Sequence, residues 1–464
     1  MFEKTIYINR REKLQKTVSK GLLLFLGNEL SSINFKDNTY YFRQDSTFLY
    51  YFGINRPSIA AIIDLDNNNT TVFGNELSIE ERVWTSESES LKESCINSGI
   101  KNSMRYEDLK SAIEESRKKG RQIHFLPPYR PENKILLAEL LSIPLTDIQK
   151  SSSEEFIRAV VAQRSVKAAE EIIEIEKAVN TSVDMHLLAM KMARPGLTEL
   201  NLATAIQQMA LDAGGNLAYP SIMTTNGHIL HNHNYNNILK EGQLILNDSG
   251  AETAMGYAGD ITRTFPVGKA FSPVQKSLYN IVLRSFNESS KLVKPEEPFL
   301  NIHLHACKEI ALGLKEMGLM KGDIDEAVNL GAHTLFFQCG LGHMMGLDVH
   351  DMEDLGEEYV GYTPTDKKNT TEFGLKSLRL GKKLEPGYVV TIEPGIYFIP
   401  TLIDLWKSEN KHSAFINYEE VEKFRHFGGI RVEDDFLVTD QGHRLLGRPL
   451  PKTVEEIEQM KAEV

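Results

Sequence analysis

The sequence predicts an α+β chain of two domains, and three observations predict it. Strand-like and helix-like runs alternate through the first part of the chain; a long amphipathic helical pattern begins after Ser151-Ser-Ser-Glu-Glu155; and beyond it helices rich in Ala, Leu and Met alternate with short apolar strand runs that carry single charged residues. With 464 residues, 41% of them hydrophobic, the chain can build two or three domains and a large core.

In the first part, Arg10 to Lys20 reads as a helix and Leu22 to Leu26 as a buried strand. Ala60 to Phe73 reads as two strands joined by an Asp/Asn turn. Together these describe a compact α/β domain. The next pattern sets Ala168, Ile172, Ile175 and Val179 at spacings of three and four and ends before Arg194-Pro-Gly196, which is a long amphipathic helix. The boundary is therefore expected near residue 165, with domains 1–165 and 166–464. Strand runs follow at Gly242-Gln-Leu-Ile-Leu246 and Gly387-Tyr-Val-Val-Thr-Ile392. Two polar stretches, Glu353 to Lys383 and Pro400 to Arg425, are expected as surface insertions near the site.

Charge and cysteine content exclude several functions. The net charge of -12 is spread along the chain, which argues against nucleic acid or an anionic membrane surface as the main partner. No run approaches the roughly 20 apolar residues of a membrane span. Met1 to Arg10 lacks a basic start followed by an apolar stretch, so export by a standard signal is not expected. Cys95, Cys307 and Cys339 are widely spaced without a pairing pattern, which fits a reducing cytosol and structural roles. The expected location is cytoplasmic.

Five short motifs carry the chemistry: Leu246-Asn-Asp-Ser-Gly-Ala-Glu252, Gly259-Asp-Ile-Thr-Arg-Thr-Phe-Pro266, Gly340-Leu-Gly-His-Met-Met-Gly-Leu-Asp-Val-His350, Thr391-Ile-Glu-Pro-Gly-Ile-Tyr397 and Gly428-Gly-Ile-Arg-Val-Glu-Asp-Asp435. Each lodges a charged residue in an apolar run beside glycine or proline, where burial is costly unless the charge is paired or coordinates a metal. Two Asp, one His and two Glu without cysteine favour hard divalent ions, Mn2+ or a close relative. The spacing of Asp248 and Asp260, with Gly250 and Gly256 between them, fits facing strands of a hairpin that aim both carboxylates into one pocket.

These motifs resemble those of the pita-bread metallopeptidases, in the branch of Xaa-Pro aminopeptidases (aminopeptidase P) and Xaa-Pro dipeptidases (prolidases). Phe42-Arg-Gln-Asp-Ser-Thr-Phe-Leu-Tyr-Tyr-Phe-Gly53 resembles the signature of that branch's amino-terminal domain, so the likeness spans nearly the whole chain. The resemblance implies an amino-terminal domain of aminopeptidase P type followed by a pita-bread catalytic domain, a curved antiparallel sheet flanked by helices. It implies Asp248, Asp260, His343, Glu393 and Glu433 as ligands of a dinuclear centre, with Asp260 and Glu433 bridging. The loop Glu252-Thr-Ala-Met-Gly256 is one residue longer than the family's usual spacing, which bears on the hairpin turn.

The implied function is a manganese-dependent exopeptidase that hydrolyses the Xaa-Pro bond at peptide amino termini. Two such ions hold one water, lower its pKa toward neutrality and set the hydroxide against a peptide carbonyl. Glu393 resembles the family's base, passing the proton to the leaving proline nitrogen. His231 resembles the family histidine that stabilises the tetrahedral intermediate or holds the substrate, and His350 one that contacts the substrate backbone. Tyr397 and Arg431 match positions near the family site and are expected to help hold the substrate by orienting ligands or histidines, with a purely structural role as the alternative. His233 reads as an exposed loop residue.

Arg379 matches the prolidase arginine that binds the free carboxylate of a dipeptide, for which a bidentate guanidinium is suited. A prolidase-like site is favoured over an aminopeptidase P acting on longer peptides. A non-catalytic peptide-binding module and the metal-free creatine-hydrolysing branch are disfavoured by the complete ligand set. The resemblance also implies a homodimer acting on proline-containing di- or oligopeptides.

Overall fold

A computed structural model describes residues 1–85 and 89–463. The chain forms two compact units, Met1–Arg164 with Met352–Tyr359, and Ser165–Asp351 with Val360–Val464. The segment Met352–Tyr359 is an excursion that a single boundary in the sequence does not describe.

The first unit begins with α1 (Lys4–Gln15), which starts and stops earlier than the expected Arg10 to Lys20. It ends because Thr17 turns its hydroxyl onto the Leu14 carbonyl at 2.7 Å and Gly21, at φ +95°, redirects the chain into the following strand. That strand is β1 (Leu22–Leu26), as apolar and buried as its sequence suggests. Asp45 caps α2 (Ser46–Phe52) by accepting from the Phe48 N–H at 2.7 Å, and Gly53, at φ +65°, ends it. Strands β2 (Ile59–Asp64) and β3 (Asn69–Gly74) form the expected antiparallel pair. Their turn is held by Asp64, whose carboxylate accepts from the N–H groups of Asp66 and Asn67. With β4 (Asn102–Met104) and β5 (Ile123–Phe125) they make a five-stranded mixed sheet in the order β4-β3-β2-β1-β5. Leu22, Leu24, Ile62, Phe73, Ile113 and Leu137 pack its core.

In the second unit, α3 (Ala169–Met192) is the predicted amphipathic helix. The antiparallel strands β6 (Ile222–Thr224), β7 (Leu244–Ser249) and β8 (Ile261–Pro266) form a sheet in the order β8-β7-β6, with Asp248 opposite Thr262 on one side and Ile222 on the other. A second antiparallel group comprises β9 (Val389–Ile392), β10 (Gly395–Tyr397), β11 (Gly429–Arg431), β12 (Asp434–Val438) and β13 (His443–Leu445), arranged as β9-β12-β13 and β10-β11. A single bridge between Thr262 and Glu433 joins the two groups, and another between Met344 and Val390 ties the His343 loop to β9, where the charged residues lie.

The longer loop after Asp248 closes without strain. The Thr253 N–H donates to the Tyr257 carbonyl at 2.9 Å, and Gly256 takes φ +83°. A Cβ on Gly250 would lie 1.8 Å from the Gly259 carbonyl oxygen, so only glycine lets these two arms of the hairpin approach. The stretch Pro400 to Arg425 is more than a surface insertion. It carries a helix, Pro400–Ser408, that buries Ile403 and Trp406, and Phe415 and Ile416 are buried after it. Charged residues on the outer face of these elements hid that packing in the sequence. No helix among the described residues is long and apolar enough to cross a membrane.

Candidate active site

Strand ends bring the five expected ligand residues to one cavity of about 290 Å³. Asp248 sits near the end of β7, and Asp260 immediately precedes β8. His343 lies in the glycine-rich loop whose Met344 bridges to β9, Glu393 follows β9, and Glu433 lies between β11 and β12. Asp260, His343 and Glu433 offer donor atoms that all lie within 4.8 Å of one another. His343 Nε2 is 3.4 Å from Asp260 Oδ2 and 3.7 Å from Glu393 Oε1. Its Nδ1 is 3.0 Å from the Met344 carbonyl oxygen; a carbonyl only accepts, so Nδ1 carries the proton and Nε2 is left as the donor to a cation.

Charge balance tests whether these residues fit divalent ions. Burial raises the carboxyl of Glu393 to about 7; His343 and Arg431 oppose the rise, while Asp260 and Asp248 add to it. Burial, with Asp260 and Glu393 nearby, holds Glu433 well above the carboxylate range, and Asp248 is raised by burial against the pull of Arg431. His343 is lifted too: burial lowers it, but its bond to Asp260, the charges of Asp260 and Glu393 and the Met344 carbonyl together outweigh that effect. Four acids crowded out of water with so little positive charge are the chemistry of a site for hard cations. The oxygen-and-imidazole donor set fits them.

The other expected residues divide into those on the cavity wall and one behind it. His231, His350, Arg379 and Arg431 line the cavity. His231 is held below its ordinary value, first by burial and then by Arg431 and Arg379, with Asp248 opposing. The His350 ring meets His343 at 4.4 Å between centroids and 68°. Arg431 is nearly enclosed; its Nη2 donates to Asp248 and its Nε to Thr262 Oγ1. Tyr397 is fully buried, lies off the cavity wall and accepts from Arg431 Nη1 at 2.8 Å. It therefore reaches the cavity wall through Arg431. His233 is the exposed loop residue expected, and it also lines the cavity, as does Cys339, whose thiol burial pushes up to about 12.

Several supporting residues escaped the sequence reading. Tyr219 donates to Asp248 Oδ1 at 2.7 Å and also lies within hydrogen-bond reach of Asp260. Thr262 Oγ1 donates to Glu433 at 2.6 Å, Thr391 Oγ1 accepts from the His343 N–H at 3.1 Å, and the Asp435 carboxylate accepts from the Asp260 N–H at 3.0 Å. Thr262, Thr391 and Asp435 all stand within the five motifs, so proximity to a ligand was a signal available for them. Tyr219 had none.

Comparison with known proteins decides the family. The model of metallopeptidase family M24 matches residues 174–440, and that of the aminopeptidase P amino-terminal domain matches residues 7–124. The chain belongs to metallopeptidase family M24. Among the relatives of this M24 peptidase, the Xaa-Pro dipeptidase of Homo sapiens is 31% identical over 96% of this chain and 90% of the relative. The Xaa-Pro aminopeptidase of Escherichia coli is 29% identical over 97% and 96%. A zinc-substituted E. coli aminopeptidase P in complex with product superposes with a TM-score of 0.82 at 26% identity, covering 100% of this chain and 99% of that one. The M24 peptidase thus has the two-domain aminopeptidase P fold, and the expected α+β class stands.

Proposed function

We propose that this peptidase cleaves Xaa-Pro bonds at peptide amino termini and is built for dipeptides. The observation that carries the reading is Arg379 on the wall of the cavity that holds Asp260, His343, Glu393 and Glu433. Relatives of both kinds, dipeptidase and aminopeptidase, are similarly distant, so the arginine tips the balance. A guanidinium there suits a free carboxylate, which a dipeptide presents next to its scissile bond.

Asp248, Asp260, His343, Glu393 and Glu433 would hold two divalent ions, for which Mn2+ suits the donor set; when bound they supply an activated nucleophile and polarise the scissile carbonyl. The protein's own groups do the rest. Glu393 Oε1 accepts the proton of the attacking water and returns it to the proline nitrogen as the bond breaks. His231 and His350 hold the peptide backbone and the developing oxyanion from the cavity wall. Ile222, Leu230 and Val349 give that wall an apolar portion for the pyrrolidine ring. Tyr219 and Arg431 fix the Asp248 carboxylate.

The test is hydrolysis of Gly-Pro and Gly-Pro-Ala side by side, with Mn2+ and with a chelator. Metal-dependent cleavage of the dipeptide alone is expected. Release of glycine from the tripeptide would favour the aminopeptidase P alternative, and no metal-dependent cleavage of either would overturn the reading.

A further inference from the structure

Beneath the loop that joins His343 to His350 lies an ion pair that the chemistry above does not use. Lys167 Nζ is 2.7 Å from Asp351 Oδ2, and each side chain is 1% exposed. A buried pair of this kind returns little net stability, because desolvation offsets the attraction, so its place in the fold calls for another account.

Its neighbours give one. The Lys167 N–H donates to the Gly387 carbonyl at 2.8 Å, which anchors the lysine to the chain entering β9. The Asp351 N–H donates to the Met344 carbonyl at 2.9 Å, closing the loop on itself next to His343. Within the loop, the Gly346 N–H donates to the Asp348 carbonyl, and the Gly346 carbonyl accepts from Ala258, just ahead of Asp260. A Cβ on Gly346 would stand 2.7 Å from Asp351 Oδ2 and 2.9 Å from Lys167 Cε, so the loop's backbone rests directly on the pair. Asp351 is also the immediate neighbour of His350, whose ring lines the cavity.

We propose that the buried Lys167–Asp351 pair is the positioning device for His350, fixing loop 346–351 so that the imidazole enters the cavity. The proposal rests on the reading that His350 holds the substrate. Lys167 and Asp351 touch no substrate themselves; they act through the loop.

The test uses Asp351→Asn and Lys167→Met in the full chain loaded with Mn2+, with Gly346→Ala as a third variant that disturbs the pair without removing either charge. Histidine labelled with nitrogen-15, recorded on the same proteins loaded with diamagnetic Zn2+ because Mn2+ would broaden a ring this close to the site, reports the His350 ring, assigned by its loss in His350→Gln. The expected result is a moved His350 resonance in all three variants. For Gly-Pro, kcat/KM falls about 10- to 100-fold, mainly through KM, while bound metal stays at the level of the unmodified protein. Combining Asp351→Asn with His350→Ala should cost no more than His350→Ala alone.

A His350 resonance that stays in place, or losses that multiply in the double variant, would overturn the proposal. A His350→Ala variant with unaltered kinetics strikes the substrate role itself and leaves the resonance to decide whether the pair positions the ring.

Discussion

At the scale of single residues, Arg379 and Tyr219 make the most distinct predictions. Replacing Arg379 by Met removes the guanidinium proposed to bind the dipeptide carboxylate; a charge-assisted pair of this kind contributes about 2–3 kcal/mol. KM for Gly-Pro should therefore rise about 30- to 100-fold with bound metal unchanged, measured by steady-state kinetics beside elemental analysis. An unaltered KM would return Arg379 to an ordinary wall residue. Tyr219→Phe deletes the hydroxyl that reaches both Asp248 and Asp260. Metal affinity, followed by calorimetric titration into the metal-free protein, should weaken about 10- to 100-fold. These two residues also mark how far the sequence could be read. Arg379 was legible because it stands at a fixed distance from Glu393, whereas Tyr219 comes from a segment with no charged motif and reaches the site through the pairings on either side of it, of Asn216–Leu217 with Ala251–Glu252 and of β6 with β7.

At the scale of elements, β1, the β2–β3 hairpin and α3 were legible because apolar periodicity and turn residues agree there. Helix α1 was misplaced because its start carries no capping side chain, and its end depends on Thr17 and Gly21. The stretch Pro400 to Arg425 was misread because its polar composition masks the burial of Trp406. One further element-level property was invisible in sequence. His303, on the helix Phe299–Glu316, and His333, on the short 3-10 turn Ala332–Leu335, are buried, and burial lowers them to about 3 and about 4, with His333 adding to the first and His412 to the second. Both are neutral when folded, while the unfolded chain protonates near pH 6.5, so between pH 6.5 and 4 the unfolded state binds more protons. Their contribution is complete above pH 6.5 and declines as pH falls toward 4, by on the order of 3 kcal/mol for His333. Urea midpoints should drop across that interval, and glutamine at both positions should flatten the drop; an equally steep decline in that variant would refute the assignment.

At the scale of the whole molecule, the two family models account for the chain's organisation, and the resemblance was visible because its motifs are contiguous strings. The excursion of Met352–Tyr359 into the first unit was not, since it depends on tertiary packing. We also predict a homodimer. In the first unit, the helix Ile79–Thr85 buries no residue, and Ile79, Val83 and Trp84 are 86%, 75% and 81% exposed, an apolar surface of the kind that partners cover. Sedimentation velocity at working concentration should give a species of twice the chain mass, and Trp84→Glu should shift it toward monomer; a monomer from the unmodified protein would contradict the prediction.

The donors in the cavity come from five separate segments, the last of them at Glu433, and the Thr262–Glu433 bridge unites the two strand groups only when that segment has arrived. During synthesis, the chain therefore emerges with its first unit complete and its hydrolytic centre lacking a wall. A chain whose last strand group has not yet docked is therefore expected to be inert toward the peptides around it.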